Sequence, residues 1–346
     1  MARKPVLEGG KRDELIDAAL ELFFENGYEN TSIRMIASRV GCEVGLFYYY
    51  FKNKDEAFSL AIDRFFSRYE GKLEELVCRA QRDPYRIMTD MFYAISGETE
   101  RFRACYAGRL HWTVRWAIRE RTLQALEPYM LRLVKALCGC GMRPRLSPEA
   151  TAVFLTHGVG STILHESREE YADRAAELRR GVELLMGIPE GEAELFSPYY
   201  AGFGDIPALT ELFSREKALF PQLAQSGERL LPARISEKEV FVLRAGRQLA
   251  GAALFSRRGK TLEAVITAPE YRRQGCAERL TVSALAQFRA GEEIFVPGDV
   301  SDGSPAEGLL KKFGLHRSRE GQSCIIAPEK VFLSHMKHTA EEQKHA

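Results

Sequence analysis

The sequence predicts a multidomain chain, an all-α half followed by an α/β half, and three observations carry that expectation. The 346 residues exceed what one hydrophobic core ordinarily holds, a typical domain being about 150 residues. Up to residue 187, apolar positions recur at three and four and the breaks fall at Gly and Pro, which is the helical period. From residue 188, short apolar runs bounded by turn signals alternate with helical segments, the pattern of an α/β domain.

The elements follow in chain order. Three short helices reach to about Phe51. The first carries the stripe Ile16, Ala19, Leu20 and Phe23 and ends at Gly27; the second carries Ile33, Ile36, Ala37 and Val40, with Thr31 and Ser32 as candidate caps and Gly41 as its stop. Phe47 and Phe51 turn inward on the third, at i and i+4. A long helix is expected from Lys54 to about Arg79. Asp83-Pro84 then reads as a cap and first helical residue opening the next helix, and Ser147-Pro148 repeats that signal for a helix through about His165. A last helix runs from about Glu169 to Met186 before Gly187. After the Gly-, Pro- and acid-rich segment IPEGEAELFSPYYAGFGDIP, a helix is expected over Pro207 to Phe220. Val240 to Arg244 and Leu249 to Phe255 read as a hairpin around Ala245-Gly246-Arg247-Gln248, and Leu262 to Thr267 as a third strand. A helix from about Cys276 to Arg289, a strand at Ile294-Phe295-Val296, a helix from about Pro305 to Phe313 and a strand at Cys324-Ile325-Ile326 complete the pattern.

Composition excludes several classes. Lys and Arg number 49 against 48 Asp and Glu, a formal charge of +1, so the whole molecule does not adhere to nucleic acid or anionic lipid by bulk charge. With 45% hydrophobic residues and no 18-residue apolar run, neither disorder nor a membrane span is expected. The opening MARKPVLEGGKRDE has no apolar run after its basic residues, so neither a signal nor a transit peptide is expected and the location is read as cytoplasmic. Seven cysteines without any C-x-x-C spacing suit reduced thiols. His157 and His165 lack a carboxylate at metal spacing, and Cys138 and Cys140 offer only two thiolates, so no metal is expected.

Two short helices joined by a Gly-containing turn form a helix-turn-helix pattern. The segment TSIRMIASRVGCEVGLFYYYFKNKDEAF resembles the DNA-binding segment of the TetR family of bacterial transcriptional regulators, over about residues 11 to 62, with YYYFKNKDEAF as its specific part. The resemblance implies a third helix in the major groove, a palindromic operator bound by a homodimer, a repressor's role, and a small-molecule effector in the larger helical domain. With Phe47 and Phe51 inside, Val44, Leu46 and Tyr48 fall on the outward side. Val44 and Leu46 suit thymine methyl groups, Gly45 permits close backbone approach, and Arg34 suits guanine O6 and N7. Ser32, Tyr48, Tyr50 and Lys54 are placed for phosphates. Residues 1–60 carry eight basic residues against ten acidic ones, so the contact rests on placement rather than on local net charge.

Between Arg101 and Trp116, four arginines interleave with Phe102, Tyr106, His111, Trp112 and Trp116. Either a ligand pocket with stacking walls or a helix core with a basic outer side accounts for them, and the second is favoured because aromatic stripes are more often packing. Gly158, Gly160 and Ser161 beside Leu155, Val159 and Ile163 permit close helix approach, and the resemblance implies a four-helix dimer interface from the last two helices.

Strand LEAVIT runs into APEYRRQGCAERL, where Arg272-x-x-Gly275-x-Ala277 sets a bend and successive amides before a helix. With the strand before it, this resembles the acyl-CoA pyrophosphate loop of the GNAT superfamily of N-acetyltransferases, and AEGLLKKFGL resembles that family's following helix, over about residues 195 to 328. The resemblance implies a mixed, mostly antiparallel sheet and acetyl-CoA or another acyl-CoA as cosubstrate or ligand. Amides around Gly275, Cys276 and Ala277 would hold the pyrophosphate, with Arg272 and Arg273 in support, and Val265, Ile266 and Thr267 would pair with the pantetheine. Glu263, the carboxylate of that strand, is the candidate base for acetyl transfer to a small amine. The family's frequent Tyr acid and Asn would fall at Leu310 and Gly303, where neither stands. An amine acetyltransferase with an autoregulatory DNA-binding domain and a regulator that only senses acyl-CoA both remain open. The expected division is a DNA-binding domain at 1–62, a helical ligand-binding and dimerisation domain at 63–187, a linker at 188–206, an acyl-CoA-binding domain at 207–330 and a tail at 331–346.

Overall fold

The computed structural model describes residues 10–106, 112–165, 168–188, 195–216, 221–297, 300, 305–318 and 321–333. By compactness the chain divides into two units, one of residues 1–75, 91–132 and 149–176, the other of residues 76–90, 133–148 and 177–346.

Helices run through the first half: α1 (Lys11–Asn30), α2 (Ile33–Val40), α3 (Val44–Tyr50), α4 (Lys54–Arg79), α5 (Ile87–Tyr106) and α6 (Trp112–Gly139). Next come α7 (Pro148–Val153), a π-helical stretch Phe154–Gly160, α8 (Ser161–His165) and α9 (Arg168–Leu185). Gly27 interrupts α1 with φ 80° and ψ 168°, as its position after the apolar stripe suggests. The single helix expected after Ser147-Pro148 is one helical run whose middle turn widens to π geometry. Asp83-Pro84 does not cap a helix. The next helix begins only at Ile87, and the Asp83 side chain accepts instead from Ser283 at 2.9 Å.

The α/β part comprises β1 (Tyr199–Tyr200), α10 (Ile206–Arg215), α11 (Pro221–Ser236), β2 (Val240–Ala245), β3 (Gln248–Ser256), β4 (Thr261–Thr267), α12 (Cys276–Leu285), β5 (Glu293–Phe295), α13 (Pro305–Lys311), β6 (His316–Arg317) and β7 (Ser323–Ile326). The seven strands lie in the order β1-β2-β3-β4-β5-β7-β6, antiparallel throughout except for the β4–β5 pair. The mixed, mostly antiparallel sheet is therefore as expected. α11 has no expected counterpart, because Gly227 and Pro232 interrupt its apolar period, and neither have the two-residue strands β1 and β6, which only their partners define. Residues 217–220 of the expected helix to Phe220 lie outside the described residues, as do 189–194 of the linker and 334–346 of the tail.

The sheet is buried on both faces at its centre, which explains the near-continuous apolar runs of β2 and β3. Phe241, Leu243 and Phe255 pack with Leu280, Ala284 and Leu285 of α12. Val240, Val242, Leu254, Ala264 and Ile266 pack on the opposite side with Leu209, Leu212, Phe213, Leu231 and Ile235 of α10 and α11. At about 1.5–3 kcal/mol for each large side chain buried, these two layers are the main stabilising element of this part. Gly251 makes the close approach of α12 possible, because a Cβ there would meet the Ile266 carbonyl oxygen at 2.6 Å and Leu280 Cδ1 at 3.0 Å.

Candidate nucleic-acid interface and candidate cofactor loop

Helices of eight and seven residues do not hold themselves in water, so α2 and α3 depend on the core beneath them. Ile36, Phe47 and Phe51 are buried with Leu15, Ala19, Phe23 and Ala61, and the Phe47 and Phe51 rings lie 5.0 Å apart. Ser32 caps α2, its Oγ accepting from the Met35 amide at 3.2 Å. Gly41 closes the helix in the left-handed region at φ 68°. Thr31 is buried and donates from Oγ1 to the carbonyls of Gly27 and Leu22 at 2.8 and 3.0 Å, tying the start of α2 to the end of α1.

The opposite faces of the two helices look outward. Ser32, Arg34 and Gly45 are exposed and Tyr48 is 57% exposed, while Val44, Leu46 and Tyr50 are half-buried. Met35 and Tyr49, which the sequence reading did not assign, are also exposed. Lys54 has a structural role at this site: its Nζ donates to the carbonyls of Tyr28 and Thr31 at 2.8 and 3.1 Å and sits 4.0 Å from the centre of the Tyr28 ring. Burial first, and then the Asp55 carboxylate that accepts its hydrogen bond, push the Tyr28 hydroxyl up to about 12. Arg39 is held by Glu21 and Glu25 at 3.3 and 3.0 Å. Lys52, just past α3, is exposed with no side-chain partner among the described residues, as is Arg34. In sequence Lys52 stands two residues from Lys54, and only the contacts of Lys54 and Arg39 distinguish it from them.

The second site lies where β4 leads into α12. Arg273 and Gly275 both adopt positive φ, 67° and 78°, and α12 starts at Cys276 with no side chain capping it. Successive amides in such a bend point at one region, and the helix dipole adds partial positive charge there. Cys276 is buried and Ala277 half-buried; Arg273 is exposed; Arg272 bonds to Glu216 at 2.7 Å and to the Thr267 carbonyl at 3.4 Å. Glu278, in the first turn of α12, is paired with Lys312.

Beside this loop, β4 pairs along its length with β3, but β5 meets it only at Thr261↔Phe295. The backbone of Val265, Ile266 and Thr267 thus faces no strand on that side among the described residues. Ile266 is buried, Val265 and Thr267 are half-buried, and the Thr267 hydroxyl is itself buried with no hydrogen-bond partner among the described residues. An orphaned hydroxyl, an open strand edge and an uncapped helix start side by side suit an extended ligand with an anionic end.

Glu263 is the extra residue of a β-bulge, since Leu254 pairs with Ala264 and Phe255 with Leu262. It is ion-paired to Arg234, which also holds Glu239 at 2.5 Å. Burial raises its pKa, and Arg234 opposes that rise. Burial likewise pushes the Cys276 thiol up, away from a nucleophile's range. Leu310 is buried in the core, and Gly303 lies outside the described residues.

In the helical part, Trp116 is 63% exposed rather than packed in a core, which counts against the packing explanation for that residue. The side chains of Phe102, Tyr106, Arg109, His111 and Trp112 lie outside the described residues. His157 pairs with Glu127 at 2.9 Å. Burial pushes the Cys140 thiol up to about 11. No helix among the described residues is long and apolar enough to cross a membrane.

Comparison with known proteins matches residues 15–59 to the family described as bacterial regulatory proteins, tetR family, and residues 212–323 to the acetyltransferase (GNAT) domain. The HTH-type transcriptional repressor ComR of Escherichia coli is 31% identical over 85 residues, 25% of this chain and 40% of that protein. The HTH-type transcriptional regulator TcmR of Streptomyces glaucescens is 32% identical over 122 residues, 35% of this chain and 53% of that protein. The chain thus spans about half the length of these relatives or less. A GNAT-family acetyltransferase structure from Bacillus cereus aligns at 19% identity and TM-score 0.30, covering 38% of this chain and 93% of that one.

Proposed function

We propose that this chain, which joins a tetR-type DNA-binding segment to a GNAT domain, is a transcriptional regulator of the repressor type whose GNAT domain takes acyl-CoA as a ligand. The observation that carries the first part is the outward face of α2 and α3, with Ser32, Arg34, Gly45 and Tyr48 exposed over a core anchored by Phe47 and Phe51. Arg34 reads guanine with its fork, and Val44 and Leu46 meet thymine methyl groups. Ser32 and Tyr48 donate hydroxyl protons to phosphates, with Tyr50 and the start of α4 at Lys54 beside them. The reading includes a homodimer on a palindromic operator, so that half-sites lie about one or more helical turns apart. Exposed Val153 and Phe154, the latter at 61%, support an apolar contact between copies. A small-molecule effector in the helical part belongs to the same reading.

For the GNAT domain, the uncapped start of α12 and the unpartnered Thr267 hydroxyl support acyl-CoA binding. Amides around Gly275, Cys276 and Ala277 hold the pyrophosphate, Arg273 adds charge, and the open edge of Val265 to Thr267 pairs with the pantetheine. When bound, acyl-CoA supplies an activated thioester. In this reading Glu263 is a structural carboxylate, because Arg234 keeps it paired. The acetyltransferase reading rests on the burial that raises the Glu263 pKa and so favours its acting as a base.

Binding-site selection from random duplexes, followed by anisotropy titration across salt, tests the first part. A saturable, sequence-selective and salt-dependent signal is expected, and purely non-selective binding would overturn it. Acetyl-CoA titration should raise the melting temperature with concentration. Turnover of acetyl-CoA with an amine panel, abolished in Glu263→Gln while the melting shift survives, would establish the enzyme instead.

A further inference from the structure

Three donor atoms from three neighbouring strands converge at the far edge of the sheet. Glu293 stands on β5, Cys324 on β7 and His316 on β6, and a carboxylate oxygen, the thiol sulfur and a ring nitrogen all lie within 4.8 Å of one another. The register brings them together. Cys324 is the cross-strand partner of both Phe295 and His316, and Glu293, two residues from Phe295, shares that face. None of this is legible as a motif, because the three residues sit on separate strands joined by a helix and a hairpin.

The histidine is already oriented as a ligand. Its Nδ1 lies 2.8 Å from the Gly314 carbonyl oxygen, which only accepts, so Nδ1 carries a proton. Nε2 therefore presents its remaining position to the Glu293 carboxylate oxygen 2.6 Å away. At that distance a proton on Nε2 joins the ring to the carboxylate, and a metal ion takes the proton's place once the two atoms move apart. A ring N–H donated to a backbone carbonyl is the usual outer support of a metal-bound histidine.

We propose that Glu293, His316 and Cys324 form a zinc site that pins the two-residue strand β6 against β7 and β5. Imidazole, thiolate and carboxylate together suit zinc and do not suit magnesium or calcium, which take oxygen donors. Zinc–ligand bonds of about 2.0–2.3 Å in a tetrahedron set donor atoms roughly 3.3–3.7 Å apart, so all three stay within the 4.8 Å they already share while the 2.6 Å contact of His316 with Glu293 opens on binding. The side chains of His316 and Glu293 are 39% and 46% exposed, which leaves the fourth position to water. On binding, the Cys324 S–H bond breaks, its proton leaves to solvent and the sulfur lone pair forms the S–Zn bond; a second proton leaves Nε2 where the ring is charged. Because binding displaces the thiol proton, zinc affinity rises with pH.

The test uses the full-length chain, stripped with chelator and kept reduced, titrated with zinc chloride by calorimetry and with cobalt(II) by absorbance. One zinc per chain is expected, with a thiolate-to-cobalt charge-transfer band in the near ultraviolet and a melting temperature that rises with zinc. His316→Gln and Cys324→Ser should each weaken binding by more than ~10-fold and remove or shift the band, while Cys78→Ala leaves both unchanged. If the buried Cys324→Ser variant fails to fold, the exposed His316→Gln variant decides. No saturable binding at micromolar zinc, no thiolate band, or unchanged binding in folded His316→Gln would overturn the proposal.

Discussion

Ser283 on α12 donates a hydrogen bond to Asp83 at 2.9 Å, joining residues 200 apart in sequence inside a buried environment. The corner around Asp83 is built into the α/β part by other bonds as well. The Arg86 guanidinium lies 4.3 and 4.4 Å from the Tyr200 and Phe241 ring centres and bonds Asp90 at 2.6 Å. Arg82 donates to the Phe288 carbonyl at 2.6 Å. A stretch of helical sequence, residues 76–90, thus belongs to the compact unit that holds the sheet.

Asp83 should make that unit less stable as pH rises. Burial, opposed by Arg86, pushes its carboxyl from an ordinary 3.8 up to about 6. The folded state then holds a proton that the unfolded chain has released, so the contribution is whole below about pH 4 and is lost as pH rises through about 6. Urea melts across this range should show a falling stability that flattens in Asp83→Asn. Ser283→Ala, which removes the hydrogen bond from a carboxyl whose other oxygen has no hydrogen-bond partner among the described residues, should cost about 1–3 kcal/mol.

The DNA-contacting residues should separate by role. Arg34→Ala should relax base preference at its position, at about 1–3 kcal/mol, whereas Lys52→Ala should weaken all sequences and lower the salt slope by about 1. Lys54→Ala should weaken binding to all sequences and also lower the melting temperature, because its ammonium holds two carbonyls at the end of α1. Mobility shifts across salt, alongside thermal melts, read all three.

Thr267→Val should act in opposite directions with and without ligand. Its hydroxyl is buried and unpartnered, so removing it should leave the free protein as stable or more stable. If acetyl-CoA engages the end of β4, the same change should shrink the acetyl-CoA melting shift. Gly275→Val, at φ 78°, should abolish that shift by distorting the loop.

Gly187→Ala should destabilise the second unit by more than ~2 kcal/mol. The residue has φ 74°, and a Cβ would lie 2.1 Å from the Arg143 carbonyl oxygen, so strain and overlap add. Chemical denaturation against wild type measures it.

Much of the fold and of the candidate sites was legible because it is local. α4 begins and ends where its apolar period does, from Lys54 to Arg79, and the stripe Ile33, Ile36, Ala37 and Val40 marks α2 with Gly41 as its stop. The β2–β3 hairpin, the bend at Gly275 and the outward position of Tyr48 follow from short-range spacing too. α11 was hidden because Pro232 and Gly227 break its period, and β1 and β6 because two residues carry no pattern of their own.

By itself, then, the sequence determined the order of the elements apart from α11, β1 and β6, together with the helix-turn-helix and the loop before α12, since each depends on residues within a few turns of one another. Only the tertiary structure decided what polar side chains do once charges meet partners far along the chain. Asp83, in an Asp-Pro pair that reads as a helix cap, turns to Ser283 instead. Lys54, a phosphate candidate by type, ties down the end of α1; Glu263, a base candidate by position, is paired by Arg234; and Glu293, His316 and Cys324 meet across three strands. Burial and pairing set the charge and reach of such groups, and neither is a property of neighbouring residues in sequence.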